Sequence, residues 1–389
     1  MVENKRNRVL IAGSVMQLFL GIIYVWSVFV APVTEYFNMD INTVKLTSSF
    51  MLCFFVMGIL FGGRLQVKIS TQKTVLIGGI LLSVAMFATS MLPKDLGMLI
   101  FFTYGIVGGF GVGMGYNAII STAQRNFPDK RGFATGISVC TFGFSTVIFA
   151  PLIQVLATKI SLQNIFIILG SVFLVATLIC FSFITMPKDT DVVVGTSSTQ
   201  KDYSTKEMLK TNTFYLITLA MMFGTSVYFI LNPSFKTLSL ERGLSDNMAT
   251  IMIMLTGVSN AVGRLIFPII SDKTSRSFSC LLTLIFTTIG AFMLIFAQGY
   301  VLMAVVILIA FCYGGTSGAF PLVTGKFFGL KNIGSNYGCI MVGFSLSALL
   351  FPIALSLVNN QIVLFVILGV VALLGTLALV PLLKREKSI

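Results

Sequence analysis

The chain has no histidine, a single tryptophan (Trp26) and only 13 acidic residues among 389. Without histidine, an imidazole proton relay or an imidazole-ligated metal is excluded. The six cysteines (Cys53, Cys140, Cys180, Cys280, Cys312 and Cys339) lie scattered through apolar segments, with no C-x-x-C pair among them. They have no metal-ligand spacing and read as small core residues rather than a disulfide framework. Charge is scarce: Asp, Glu, Lys and Arg make up 10% of the chain, where a soluble domain carries about 25%. The short alternating segments of a β-barrel are also missing. What is present is long, uncharged and apolar, with 56% hydrophobic residues and a mean hydropathy of +0.97. Such runs cross a bilayer as helices, which satisfy their own backbone polar groups. The composition describes an all-α polytopic membrane protein.

Met1 to Arg8 is short and basic, and an apolar helix is expected from Val9 to about Val33. It is too long for a cleaved signal segment and carries no small-residue cleavage site. Further spans are expected at about 45–65, 74–92, 97–123, 132–157 and 164–186, then at 212–235, 246–270, 278–297, 300–325, 334–358 and 361–383. The only long polar stretch, Pro187 to Lys210, lies between the sixth and seventh. The expected organisation is twelve spans in two six-helix halves, 1–186 and 212–389, joined by a central loop at 187–211. The ends of spans 4 and 10 echo each other. Tyr116 to Phe127 and Ser317 to Phe328 each run from small residues into a basic residue and a Phe. Paired halves of this kind are a recurring transporter plan.

Basic residues in the loops set the orientation. Placing the N-terminus in the cytoplasm puts on that side Lys5, Arg6, Arg8, Arg64, Lys68, Lys73, Arg125, Lys130 and Arg131, followed by Lys188, Lys201, Lys206, Lys210, Lys273, Arg276, Lys326, Lys331, Lys384, Arg385 and Lys387. Only Lys45, Lys94, Lys159, Lys236 and Arg242 fall outside. Both termini are therefore expected in the cytoplasm of a multi-pass cell-membrane protein. The net charge of +13 is topological and does not indicate nucleic acid.

One cation fits neither side. Arg264 follows an apolar run from Met248 to Gly263 and stands eight residues before Asp272, where the polar cluster Ser271, Asp272, Lys273 and Arg276 begins. Eight residues of helix span about 12 Å, and half a hydrocarbon core is about 15 Å. Arg264 is thus expected near the bilayer midplane, where a charge costs at least about 2.5–3.5 kcal/mol and marks a functional site by default. The alternatives are snorkelling over two helical turns and pairing with a buried acid. No Asp or Glu lies deep in any other apolar segment, so anion binding is the favoured reading. Asn260, one turn earlier, is placed to hold the guanidinium. Gly63-Arg64-Leu65 matches Gly263-Arg264-Leu265 in letters only, since Arg64 falls at a span edge.

Several stretches resemble the major facilitator superfamily and, within it, the oxalate/formate antiporter family. They are Gly21-Ile-Ile-Tyr-Val-Trp-Ser27, Gly63-Arg-Leu-Gln66, Gly109-Phe-Gly-Val-Gly-Met-Gly-Tyr116, Phe127-Pro-Asp-Lys-Arg-Gly132, Tyr313-Gly-Gly315, Pro321, Phe328-Gly329 and Asn336-Tyr-Gly338. Together they are specific; none is specific alone. Two departures stand out. Where the superfamily's loop motif after helix 2 has an Asp and a Gly-x-Arg, this chain has Val67, Ser70 and Gln72. The second-half copy keeps Asp272, Lys273 and Arg276, so gating contacts, Arg64 included, are expected to be lopsided. Family members that carry oxalate have a second cation, a Lys, seven residues after the Tyr of the helix 11 Tyr-Gly pair, which here is Phe344.

The resemblance implies a binding cavity between the halves and walled by helices 1, 4, 7, 8, 10 and 11. Arg264 would grip a carboxylate there with its planar fork, and Tyr24 and Tyr116 match family aromatic positions. Asn117, Asn232 and Tyr313 line the cavity or make interhelical hydrogen bonds, and Trp26 packs or lines it. The glycines of helix 4 serve close packing or a mobile gate. The expected activity is secondary transport of a small organic anion, a monocarboxylate such as formate, lactate or pyruvate, by exchange in a bacterial membrane. Oxalate:formate exchange, proton-linked uptake and a non-transporting sensor are the alternatives. No catalytic residue, metal or cofactor is implied, and a monomer is expected.

Overall fold

The computed structural model describes residues 2–185, 201–355, 358 and 360–387; residue 186, the expected end of the sixth span, and residues 187–200 of the expected central loop lie outside this set. Among the described residues, twelve helices are long and apolar enough to cross a membrane: α1 Lys5–Phe37, α2 Thr43–Lys68, α3 Thr71–Ser90, α4 Lys94–Asn126, α5 Arg131–Ala157, α6 Leu162–Cys180, α7 Asn212–Leu231, α8 Asp246–Lys273, α9 Arg276–Met293, α10 Gly299–Phe328, α11 Ile333–Phe351 and α12 Gln361–Lys387. In each unit, the face nearest that unit's own chain terminus is called the terminal face below. The all-α expectation and the count hold.

Side-chain caps explain why the short turns suffice. A Ser, Thr or Asp before each of several helices accepts from a first-turn N–H, as Asp40 does from Thr43, Ser70 from Lys73 and Thr211 from Phe214. Ser245 accepts from Met248 and Ser275 from Phe278 at the starts of α8 and α9. Each cap satisfies one of the N–H groups that a helix start leaves without a partner.

The interiors of the spans depart from the simple expectation. α1 breaks into a 3₁₀ turn at Gly21–Val25 and resumes as Trp26–Phe37, four residues beyond its expected end. A Cβ on Gly21 would meet the Phe142 carbonyl and lie 2.5 Å from Ser145 Cβ, so glycine lets the break press against α5. α4 opens with a 3₁₀ turn and a π-helical segment, Phe101–Gly108, before becoming regular from Gly109. α6 ends at Cys180, short of the expected 186, and turns at 181–183. α7 ends at Leu231; Asn232-Pro-Ser234 forms a 3₁₀ turn, and a short helix Phe235–Glu241 follows. A proline cannot continue the hydrogen-bond ladder there.

The chain divides into two compact units. One takes the chain to Asp129, the segment from Thr141, and Asn332–Cys339; the other takes Lys130–Cys140, Thr199–Lys331 and the chain from Ile340. Small residues form the helix contacts in each. In the first, Gly109 faces the Met51 carbonyl, Gly113 the Phe55 carbonyl and Gly111 the Gly78 carbonyl. These α4 glycines pack backbone on backbone, as small residues do in membranes.

Candidate functional site

The second unit places Arg264 two-thirds of the way along α8. Its side chain is 1% exposed, and its Nε donates to Asn260 Oδ1 at 2.9 Å. Asn260 lies one helical turn earlier, so the pairing follows from i, i+4 geometry. The neutral amide oxygen fixes the guanidinium without cancelling its charge. Glycines of α10 hold the backbone beneath it. A Cβ on Gly318 would sit 2.8 Å from the Arg264 carbonyl oxygen, and one on Gly314 would collide with that of Asn260. Gly136 of α5 covers the same carbonyl of Arg264, its virtual Cβ 3.4 Å away. The arginine is thus mounted on a rigid helix pair.

Aromatic rings form a second feature of this unit. Tyr313 of α10 stacks on Tyr228 of α7 with centroids 3.9 Å apart and planes 6° apart. Phe229 meets both Tyr313 (5.6 Å) and Phe344 of α11 (4.9 Å) edge-on. Tyr313 and Phe344 are each 3% exposed. Phe344, the residue at the second-cation position, is therefore part of an apolar ring cluster. Tyr228 and Phe229 were not singled out by the sequence, because nothing separates them from other aromatics in apolar spans.

The first unit gathers a comparable set. Tyr24 packs edge-on to Phe142 at 5.5 Å, Tyr116 meets Phe142 at 4.8 Å, and Phe55 meets Tyr116 at 5.2 Å. The two predicted tyrosines are brought together through Phe142, which the sequence did not mark. Trp26 is turned away: it is 2% exposed, donates from Nε1 to the Val44 carbonyl at 3.0 Å and packs on Tyr104 at 4.6 Å. Asn117 makes interhelical bonds, its Nδ2 donating to Ile59 O at 2.9 Å and Gly334 O at 2.7 Å. Asn232 is exposed at the helix break after α7.

At the terminal face of the second unit, Asp272 caps the start of α5. It accepts from Gly132 N and Phe133 N, both at 2.9 Å, and pairs with Arg276 at 3.1 Å. A carboxylate at a helix N-terminus meets free N–H groups and the positive end of the dipole. Arg276 also donates to the Ser271 carbonyl. Glu386, near the end of α12, accepts from Arg276 N and Ser277 N at 2.9 and 2.7 Å and so caps α9. Glu386 sits in the basic tail that the sequence assigned to topology alone. Lys273 and Arg64 are exposed and join neither arrangement. In the first unit Val67, at the motif's Asp position, is exposed, and the polar contact beside it is neutral. Ser121 Oγ donates to Gln66 Oε1 at 2.7 Å, and a Cβ on Gly334 would collide with the Gln66 amide.

A cavity of 170 Å³ between the far end of α7 and the start of α12 is lined by Ile230, Leu231, Ser234, Thr237, Leu238, Glu241, Gln361, Leu364 and Phe365, none of them a predicted site residue. All six cysteines are free thiols.

Comparison with known proteins bears on the family and the fold. The chain is 24% identical over 359 residues to the uncharacterized MFS-type transporter YhjX of Escherichia coli, covering 89% of this chain and 87% of the relative. It is 24% identical over 343 residues to the oxalate:formate antiporter of Oxalobacter formigenes, covering 87% and 81%. Monocarboxylate transporter 12 of Rattus norvegicus is 25% identical over 280 residues, covering 64% and 56%. Among solved structures, the proton:xylose symporter XylE superposes with a TM-score of 0.75 at 14% identity, covering 97% of this chain and 95% of that one. The Major Facilitator Superfamily model matches residues 10–352, and with the twelve spans this assigns the chain to that superfamily of membrane transporters.

Proposed function

We propose that the protein is a secondary transporter of a small monocarboxylate, of the formate, lactate or pyruvate class, working by anion exchange with its termini in the cytoplasm. The observation that carries the reading is Arg264: a side chain 1% exposed two-thirds of the way along a span, aligned by a neutral amide on a glycine-braced helix pair. Its planar fork suits a carboxylate held by two parallel bonds. Tyr24, Tyr116 and Tyr313 are proposed as hydroxyl-bearing contacts on otherwise apolar walls. Phe344 sits among rings where a second cation would be needed for a dianion, which favours one negative charge.

Exchange follows from charge. Asp and Glu of this chain stand at span ends or in loops. A bound monoanion is proposed to offset the Arg264 charge through the closed stage of transport. Offsetting a buried charge lowers its cost, so the loaded carrier is proposed to reorient faster than the empty one. Asp272 and the neutral Gln66 contact are proposed as unequal latches on the terminal face. Oxalate:formate exchange is the second reading, favoured by the Oxalobacter formigenes relative.

Binding to purified protein tests the site. Arg264→Lys keeps the charge but loses the fork, and should weaken monocarboxylate binding by about 1.5–3 kcal/mol, the scale of a hydrogen bond to a charged group. Oxalate binding tighter than every monocarboxylate would overturn the substrate assignment.

A further inference from the structure

The cavity between the far end of α7 and the start of α12 has no part in the site above, and its lining follows from helix geometry. Ser234, Thr237, Leu238 and Glu241 recur at i, i+3, i+4 and i+7, one face of the short helix Phe235–Glu241 and the turn before it. Gln361, Leu364 and Phe365 repeat that spacing at the start of α12. Ile230 and Leu231 join them from the last turn of α7. Leu231, Leu238 and Phe365 are buried in the hydrophobic core of the second unit. Ser234, Thr237, Glu241 and Gln361 are exposed, so apolar walls lead to a polar mouth.

One charge stands in this lining. Glu241 Oε2 accepts from Gln361 Nε2 at 2.6 Å, which ties the short helix to α12. No ion pair joins Glu241 to another described residue. The cations beside it in sequence are engaged elsewhere. Lys236 pairs with Asp246 at 2.9 Å. Arg242 donates to the Ala297 carbonyl at 3.3 Å and to Gln361 Oε1 at 3.4 Å, its guanidinium 5.5 Å from the centre of the Phe365 ring. The Gln361 amide thus bonds on both sides and fixes the Glu241 carboxylate without neutralising it.

We infer that this cavity binds a small organic ammonium ion, a primary amine whose apolar body is about the size of one ring. The ammonium donates to the Glu241 carboxylate, with the Ser234 and Thr237 hydroxyls as further acceptors. The apolar body lies against Leu231, Leu238, Leu364 and Phe365. The size agrees: an apolar cavity of about 150 Å³ takes benzene, and this one measures 170 Å³. The charge-assisted hydrogen bond orients the ligand, and burial of its apolar surface drives binding. A lipid headgroup with the same ammonium also brings a phosphate, for which the lining holds no cation. The site shares no residue with the Arg264 site, and the inference stands apart from the transport reading.

Benzylammonium titrated into purified protein in phosphatidylcholine nanodiscs tests the site by calorimetry and by Tm. Binding should saturate, raise Tm with ligand concentration and weaken with added salt, because the mouth is open to solvent. Benzyl alcohol, the neutral analogue, should bind at least tenfold more weakly. So should benzylammonium to Glu241→Gln, which loses the charge at an exposed position and leaves the fold intact. Arg264→Ala should bind benzylammonium within twofold of wild type, and loss of binding there would overturn the placement of the site. Equal binding of amine and alcohol, or of the amine to wild type and Glu241→Gln, would reduce the cavity to an apolar crevice and overturn the inference. So would the absence of saturable binding. A Tm rise in phosphatidylethanolamine discs that Glu241→Gln abolishes, with no response to benzylammonium, would assign the carboxylate to a lipid headgroup and overturn the small-ligand assignment.

Discussion

Replacing Asp272 by Asn should release the start of α5. The carboxylate accepts from two backbone N–H groups at 2.9 Å and pairs with Arg276 at 3.1 Å. An amide keeps one acceptor oxygen and turns an N–H donor toward the other backbone N–H. At least one charge-assisted bond is lost, worth about 1.5–3 kcal/mol. The Arg276 pair adds at most about 1 kcal/mol, because its side chains remain 21% and 17% exposed. The loss is then about 1.5–4 kcal/mol, or about tenfold and upward in the local opening equilibrium at about 1.4 kcal/mol per tenfold. Hydrogen exchange of the Gly132 and Phe133 amides reads that opening directly, and their exchange in Asp272→Asn should accelerate at least tenfold. Gln66→Ala, which removes a neutral contact in the other unit, should accelerate nothing at these two amides. Unchanged protection at Gly132 and Phe133 would refute the view that Asp272 holds α5 by its charge.

Glycine substitutions along α8 and α10 should divide by the space around each. Gly314→Ala drives a methyl into the Asn260 carbonyl and should lower stability by about 1–3 kcal/mol by overpacking, seen as a fall in Tm together with weaker substrate binding. Gly257→Ala, with nothing within 4 Å, should be neutral or stabilising by up to about 1 kcal/mol. Phe344→Lys should turn preference toward dianions, so that oxalate raises the Tm of the variant and not of the wild type. Glu207 accepts from the Ser204 hydroxyl and backbone N–H, and those bonds hold its carboxyl below its ordinary range. A depressed carboxylate contributes stability above its unfolded pKa and loses it as pH falls through the folded one. The short helix Thr205–Met208 should therefore loosen only in acid, and Glu207→Gln should reproduce the loosening at neutral pH in amide exchange.

Hydropathy revealed the twelve spans because each must bury about 20 apolar residues, and Arg264 stood out because charge is almost absent from such runs. Asn260 was legible for the same reason, since i, i+4 spacing needs no tertiary knowledge. The breaks inside the spans were not legible. The 3₁₀ turn at Gly21–Val25 and the π segment at Phe101–Gly108 change hydrogen-bond register without changing hydropathy. Phe142 and Phe55 could not be picked from 36 phenylalanines, because what distinguishes them is contact with Tyr24 and Tyr116. Asn117 illustrates the converse. Its polarity in an apolar helix left a cavity contact and an interhelical hydrogen bond both open, and only the fold reveals that its amide donates to two backbone carbonyls. Glu386 was masked by its basic neighbours, and only the fold reveals that it caps α9.

The most direct test of the central claim is efflux of labelled formate or lactate from proteoliposomes loaded with wild-type protein, measured with and without external substrate and with an imposed pH gradient. An exchanger organised around Arg264 should release label at least tenfold faster with external substrate, ignore the pH gradient, and lose both behaviours in an Arg264→Ala variant that inserts and folds normally. Efflux that ignores external substrate and follows the pH gradient would contradict exchange. Transport that survives Arg264→Ala would contradict the site itself.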